Sequence, residues 1–467
     1  MSPAYEDFEA LVGRLKRAAI DAYMDDAGFD RVGEKYTSVQ VVSSPLGPGA
    51  SWTTLVARPG ENGSGGGSGE MVCSMPVPVQ SISYQSEFDQ IRAQIDTLVQ
   101  PWRDLPSPAR VQTVEQQCVS LNTGLAGTAS FSQGNVGGVG IIATNLDQVR
   151  TNSQAFTGRT GERFKSHFLG RIGAVCGGLW AMSILATTMV HVQVELWKWG
   201  RQDVANVLDT ARAAMEASCY GSKQQLEVTL QVVGIVVKVA KEFVPGVAGS
   251  VLGVAGIGLD LLQDATATSV PNIELAGATY EEVLKNFTAA LTTINEQITA
   301  QERLIDETLA RNLTSIQEVG KTIRHPNPGT AAEHSNPYDL EVPPIGSTKG
   351  VRITSYELVA GIWQECLPAV AHELEGLAVT SRDCMTWNAL QRNAGVGIAL
   401  SGPSMRFGEL TWKLCEMAND LAWDVKMGAK DLKLVVTAMR EHDEASAARL
   451  RDFAKKMSTP GPYDAWD

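Results

Sequence analysis

One segment of the chain, residues 280–319, carries an apolar pattern that a long helix presents on a single face. Its apolar residues recur at three- and four-residue steps, the heptad pattern of packed helices: Leu284, Phe287, Leu291, Ile294, Ile298, Ile305, Leu309 and Ile316. At about 1.5 Å of rise per residue, this helix spans roughly 60 Å. Because so long a seam needs a partner helix, the sequence predicts an all-α class, an elongated helical bundle of long hairpins. The partner helix can belong to the same chain or to another copy.

Shifts in composition divide the chain into six segments. A helical pattern over 5–27 and β-like stretches over 37–58 predict a small N-terminal α+β cap. The run NGSGGGSG is typical of a flexible linker, and a second Pro/Gly-rich run follows residue 323. The predicted organisation is a cap (1–60), a Gly/Ser linker (61–77), a main helical bundle (78–323), a Pro/Gly linker (324–350), a C-terminal helical hairpin (351–456) and a flexible tail (457–467).

Two stretches without charged residues, 172–194 and 243–259, are the longest apolar runs that the pattern singles out. The first meets the length of a membrane-spanning helix. The second has glycines at three- and four-residue steps, which let helices approach closely in lipid or in a tight soluble bundle. Three interpretations stay open: buried helices of the bundle, helices that insert into a membrane after folding, and permanent membrane spans. Burial is favoured because Thr187, Thr188 and Cys176 keep the first stretch only moderately hydrophobic.

Charge and cysteine usage narrow the class of protein. A formal net charge of −13 argues against a nucleic-acid partner, which would need a basic face. The seven cysteines are scattered without a CxxC pair, so they predict neither a disulfide framework nor a zinc site. The N-terminal residues MSPAYEDFEAL place acids where a secretory signal has basic residues. We therefore expect the chain to fold in a reducing cytoplasm.

The sequence contains no motif that is typical of a catalytic or metal-binding site. His372-Glu373 lacks the second histidine of a zinc-protease helix, and the run from Gly138 to Ala143 follows no hydrophobic strand, as a dinucleotide site would require. No phosphate-binding loop and no nucleophile elbow are present. The sequence therefore predicts a protein that is not an enzyme, with no catalytic residues, no metal ligands and no cofactor.

One stretch has a recognisable pattern of turn residues. Residues 145–164 place Phe156-x-Gly158 between two helical segments, with another Phe shortly after the glycine. This resembles the Trp-x-Gly hairpin of the small helical proteins exported by type VII (ESX) secretion systems. In that family, a Tyr-x-x-x-Asp/Glu export signal lies near the end of the second helix. Trp199 and Asp203 occupy the corresponding spacing here and share one helix face.

The C-terminal segment repeats this pattern more weakly. Leu400-x-Gly402, followed by Phe407, occupies the turn position, and Met439-x-x-x-Asp443 leads into EASAARL, which is similar to the closing helix of ESX secretion-associated proteins. Both copies depart from the family, because Phe or Leu replaces the motif Trp and Trp or Met replaces the signal Tyr. The resemblance implies that Phe156 and Gly158 form a hairpin turn, and that Trp199, Asp203, Met439 and Asp443 act as export signals.

The resemblance also implies a function and partners. We expect a non-enzymatic protein that acts through protein–protein contacts and is secreted, or associated with the cell envelope, after folding in the cytoplasm. Its expected partners are a small WXG-like helical protein or a second copy, and a secretion ATPase that recognises an exposed helix end. Two alternatives stay open: a membrane-inserting, pore-forming protein or effector that uses 172–194 and 243–259, and an oligomeric scaffold held by the 280–319 seam.

Overall fold

The computed structural model describes residues 3–44, 47–126, 140–219, 226–243, 272–324 and 351–457. Its mainly helical character is confirmed, but an all-α class is not, because the N-terminal region contains a five-stranded antiparallel sheet. Helix α1 (Phe8–Asp26) comes first. The strands then follow as a meander in chain order: β1 (Asp30–Val32), β2 (Lys35–Ser44), β3 (Gly47–Ala57), β4 (Ser68–Cys73) and β5 (Gln80–Ser83).

The sheet is fixed to α1 through the buried carboxylate of Asp21. The Tyr36 hydroxyl donates to Asp21 Oδ1 at 2.6 Å, and the Arg58 Nε donates to the same oxygen at 2.7 Å. The ring of Tyr36 also stands edge-on to Phe88, in helix α2 (Gln85–Val99), at 6.2 Å between centroids. A buried charge of this kind is tolerated because both a cation and a hydroxyl satisfy it.

The glycine-rich run is part of this sheet region and not a flexible linker, which corrects the boundary predicted at 61–77. Strand β4 starts at Ser68 and pairs with β3. The glycines before it have positive φ, and Gly63, Gly66 and Gly67 also pack tightly: a Cβ at Gly63 would lie 2.8 Å from the Gly13 carbonyl oxygen. The Arg92 Nε donates to the Gly63 carbonyl at 2.7 Å. The composition of the run indicated flexibility, but four of its glycines adopt the left-handed backbone conformation and the fifth, Gly69, lies in strand β4.

The remainder is a helical bundle built on three long helices: α6 (Gly170–Ser218), α8 (Tyr280–Arg324) and α11 (Ser404–Met457). The shorter helices are α2, α3 (Pro108–Leu125), α4 (Ile141–Asn152), α5 (Gly158–Arg163), α7 (Ile235–Phe243), α9 (Tyr356–Gly361) and α10 (Leu367–Asp383). Single π-helical turns precede α6 and α10, at Phe164–Leu169 and Ile362–Cys366. Two small ladders pair β6 (Phe156–Thr157) with β9 (Val351–Ile353), and β7 (Glu227–Thr229) with β8 (Asn272–Glu274).

The apolar seam of α8 finds its partner inside the chain. All eight seam residues named above are buried, and α8 packs along α6, a helix of similar length. The 280–319 seam is therefore filled within one molecule. An oligomeric scaffold held by this seam is not supported, because its residues are already covered.

The apolar stretch 172–194 lies in α6, at the centre of the bundle. The helical segment Phe164–Ser218 is long and apolar enough to cross a membrane, yet its most apolar part is largely buried inside the bundle. Helices α1, α3 and α8 are its main packing partners. A core helix of a soluble protein has these same properties. Of the second stretch, 243–259, only Phe243 lies within the described residues.

The C-terminal helices join the same core. Helices α10 and α11 run antiparallel: the Ser381 hydroxyl donates to the Thr411 carbonyl at 2.6 Å, and the Glu375 carboxylate meets Lys426 further along. Helix α10 also packs on α3 and α4, so one apolar core extends from the N-terminal helix into α11. The predicted linker 324–350 and tail 457–467 lie outside the described residues, except for their first residue in each case.

Candidate functional site

The predicted turn residues Phe156 and Gly158 lie between α4 and α6. Phe156 is buried in β6, where it pairs with Ile353, and its ring contacts Phe164 edge-on at 6.1 Å. Gly158 has φ of +86° and opens α5. The aromatic side chain is therefore buried at this turn, and the glycine has the left-handed backbone conformation that glycine adopts at no steric cost.

The two helices that flank this turn have their main packing partners elsewhere. Helix α4 packs chiefly against α10, whereas α6 packs chiefly against α3, α1 and α8. The backbone at the turn is held by β9, because the Thr354 amide donates to the Ala155 carbonyl at 2.9 Å. The turn thus connects two layers of a larger bundle, and the C-terminal part of the chain supports it.

The predicted signal residues Trp199 and Asp203 lie in the middle of α6, on one face, and not at an exposed helix end. Trp199 is half-buried and donates its indole N–H to Glu195 Oε2 at 3.0 Å. Asp203 is fully buried. Its Oδ2 accepts from the backbone amides of Gln231 and Val232, each at 2.8 Å. The interpretation of this pair as an exposed recognition face is therefore corrected.

Asp203 holds the segment that leads into α7 against the bundle core. Burial raises the pKa of its carboxyl to about 6, although the two amide hydrogen bonds oppose that shift. Gln301 of α8 holds the same segment by a further hydrogen bond, because its Oε1 accepts from the Val236 amide at 3.1 Å. Two side chains on two long helices therefore satisfy backbone amides at the start of a short helix.

A second buried carboxylate, Glu302, is adjacent to Gln301 and faces the loop between α10 and α11. The Arg392 Nη2 donates to Glu302 Oε2 at 2.7 Å, and neither side chain is exposed to solvent. The Ile398 amide donates to the same oxygen at 2.9 Å. Burial raises the pKa of Glu302 and lowers the pKa of Arg392, while their mutual attraction opposes both shifts.

The Glu302–Arg392 ion pair contacts α6 through Trp197. The Arg392 guanidinium lies 4.7 Å from the centre of the Trp197 ring, and the Trp197 indole N–H donates to Gln193 Oε1 at 3.1 Å. A Cβ at Gly397, whose φ is +69°, would collide with both charged groups. The fold therefore requires glycine there. We call these six residues the buried polar cluster: Gln193, Trp197, Asp203, Gln301, Glu302 and Arg392.

The cluster concentrates buried polar atoms that lack a hydrogen-bond partner among the described residues. Four of its atoms are in this state: Gln193 Nε2, Asp203 Oδ1, Glu302 Oε1 and Arg392 Nη1. Such atoms are costly in an apolar core. The sequence contained one signal for this cluster that was missed: Gln301 occupies a seam position between Ile298 and Ile305, where the heptad pattern calls for an apolar residue.

The second predicted signal pair lies near the end of α11, in a different environment. Met439 is buried, whereas Asp443 is exposed and its Oδ2 accepts from the Tyr356 hydroxyl at 2.6 Å. Burial and this hydrogen bond raise the pKa of Tyr356 to about 12. Residues 440–452 are exposed or half-buried. The acidic residue is therefore exposed at this helix end, whereas in residues 199–203 it is buried.

In the part of the chain that is described, the histidines, cysteines and remaining acidic residues do not form a metal site. No group of three histidine, cysteine or acidic side chains there could hold a metal ion, and all seven cysteines are free thiols. Comparison of the chain with protein-family models, with characterised proteins and with solved structures gave no match.

Proposed function

We propose that this chain is a non-enzymatic helical protein, exported by or associated with a type VII secretion system, that acts through protein–protein contacts. The arrangement of the buried carboxylates supports a structural role for them. Asp203 and Glu302 each bind backbone amides of another segment, and Glu302 also binds Arg392. Their oxygens tie residues 231–232 and segment 392–398 to the core.

The observation that carries the export proposal is the accessibility of Asp443. In the family that the chain resembles, an aromatic residue and an acid share one helix face near a helix end. Here the Tyr356 hydroxyl meets the Asp443 carboxylate across two segments, on the exposed end of α11. An aromatic hydroxyl beside a carboxylate is thus available to a secretion ATPase. Met439 packs beneath this end and anchors it.

The export test compares variants of the full chain in cells that carry a type VII secretion system. We expect Asp443→Ala to lower the exported fraction, because it removes the accessible carboxylate. Glu441→Ala is the matched control: this acid is exposed on the same helix, two residues away. We expect the control to be exported like the wild type. Export of Asp443→Ala at the wild-type level, with equal amounts of protein in the cells, would contradict the proposal.

A second candidate function is insertion into a membrane, and the apolar length of α6 favours it. Insertion requires this helix to leave α1, α3 and α8, which cover it in the folded state. Leakage of a dye from liposomes by the purified protein tests this idea, with anionic and neutral lipids at acidic and neutral pH. An intact dye content under all of these conditions would remove insertion as a function.

A further inference from the structure

Helix α11 exposes a stripe of large apolar side chains that the other described parts of the chain leave uncovered. Met405, Trp412, Trp423 and Leu434 are 68%, 53%, 61% and 61% exposed. They are separated by seven, eleven and eleven residues. At 3.6 residues per turn these spacings keep all four within about 40° of one another around the helix. Two exposed tryptophans on one face are unusual for a surface that only meets water.

The exposed charged side chains along this stripe are segregated by sign along the helix. Glu409 and Glu416 lie in its N-terminal half, and Lys426 and Lys430 in its C-terminal half, all on the solvent side. The helix therefore presents a face that is acidic at one end, basic at the other and aromatic on either side of the middle. A second helix with the same face, running in the opposite direction, is its natural electrostatic complement.

We propose that this face of α11 binds a second copy of the chain, with the two α11 helices antiparallel about a two-fold axis between residues 417 and 418. In this register Trp412 lies opposite the partner's Trp423. Glu409 lies opposite the partner's Lys426, and Met405 lies along the aliphatic stem of the partner's Lys430. Each contact occurs twice, as an isologous interface requires.

The charge balance favours a second copy over a membrane surface. The two acids and two lysines of the stripe cancel, and an anionic membrane would select a basic face. Within one chain, Lys426 pairs with Glu375 at 2.5 Å and Arg406 pairs with Glu409 at 2.9 Å. Both pairs are partly exposed, so they contribute little to stability and can be exchanged or shared in an interface. This dimer does not depend on the export proposal, because Asp443 lies outside residues 405–430, the overlap between the two α11 helices.

The test is the mass of the full chain in solution, measured by light scattering over a range of concentrations. We expect twice the monomer mass at high concentration. Glu409→Lys alone and Lys426→Glu alone should each weaken the dimer about tenfold or more, because each places like charges opposite each other twice. A mixture of these two variants should form the dimer again, because every pair then has opposite charges.

Two further variants make the outcome specific. Glu441→Lys, a charge reversal on α11 outside the overlap, should leave the mass unchanged. The double substitution Trp412→Ala and Trp423→Ala should give a monomer with unchanged helical circular dichroism, because both side chains are exposed. A wild-type monomer at all concentrations would overturn the proposal, and so would a mixture of charge variants that fails to associate. Binding of a monomeric wild type to lipid vesicles would assign the stripe to a membrane and would also overturn it.

Discussion

The Nη2 atom of Arg392 lies 2.7 Å from Oε2 of Glu302, and both side chains are withdrawn completely from solvent. Ninety residues separate them in the sequence. The pair joins the loop before α11 to the middle of α8, and Trp197 of α6 covers the guanidinium. Two long helices and the C-terminal hairpin therefore meet at one desolvated ion pair.

Breaking this pair should destabilise the whole fold. Glu302→Gln leaves the Arg392 cation buried without a counter-charge, which costs about 3 to 5 kcal/mol of unfolding free energy. Urea unfolding followed by circular dichroism measures the loss. Glu444→Gln is the matched control, because Glu444 pairs with Arg440 at 2.9 Å on the surface. That change should cost about 1 kcal/mol or less. Equal losses in the two variants would contradict the assignment.

The pKa of Asp203 predicts how stability changes with pH. Its value in the folded state, about 6, lies above its value of about 3.9 in an unfolded chain. The contribution of this group to stability is therefore complete below pH ~4 and is lost as the pH rises through ~6. The change in unfolding free energy over that range is about 2 to 3 kcal/mol.

Asp203→Asn isolates this effect, because the amide oxygen can still accept from the Gln231 and Val232 amides. We expect the variant to be more stable than the wild type at neutral pH and to approach it in acid. Glu302 also titrates with a raised pKa, so the quantity to compare is the difference between variant and wild type at each pH. A difference that stays constant from pH ~4 to ~7 would refute the predicted shift.

Phe156 should contribute to stability through packing, whatever its role in export. Its side chain is buried against Phe164, so Phe156→Ala should lower the unfolding free energy by about 3 to 5 kcal/mol. Trp387→Ala is a suitable control, because Trp387 is exposed and lies in the loop between α10 and α11. We expect the control to change stability by about 0.5 kcal/mol or less. A small loss for Phe156→Ala would show that the aromatic wedge is dispensable.

The cysteines should differ sharply in their reactivity in the native protein. Burial raises the pKa of Cys176 to about 12 and that of Cys219 to about 11, so neither forms much thiolate at neutral pH. The Cys118 thiol contacts Cys384 in the core, and this contact together with burial raises its pKa. We therefore expect iodoacetamide to label Cys73 first, as found by peptide mass spectrometry.

Denaturation provides the control for this labelling. All seven cysteines should react in urea, and a Cys73→Ser variant should show almost no early label in the native state. Rapid native labelling of Cys118 or Cys384 would contradict the packing of α3 against the end of α10.

The sequence by itself determined the features that depend on local periodicity. The heptad steps of 280–319 predicted a long helix with one apolar face, and the structure places that face in the core. The uncharged stretch 172–194 indicated either a buried helix or a membrane span, and burial in α6 agrees with the first. Within the β-like stretch 37–58, residues 37–44 lie in strand β2 and residues 47–57 lie in strand β3. These features can be predicted from local patterns, because each depends only on how side chains are spaced along a single helix or strand.

Only the tertiary structure decided which residues meet across the chain. Asp203 resembled a signal residue by its spacing from Trp199, but it is buried and its Oδ2 accepts from the amides of Gln231 and Val232. The glycine-rich run looked flexible, yet Gly63 packs on α1 and the run ends in β4. The partner of Glu302 could not be inferred, because many arginines are equivalent in sequence until folding brings one of them into contact. The spacing of residues along the chain specifies which of them share a face of a helix or strand. Whether a side chain is buried, and which side chain it pairs with, depends on what that face packs against in the folded protein.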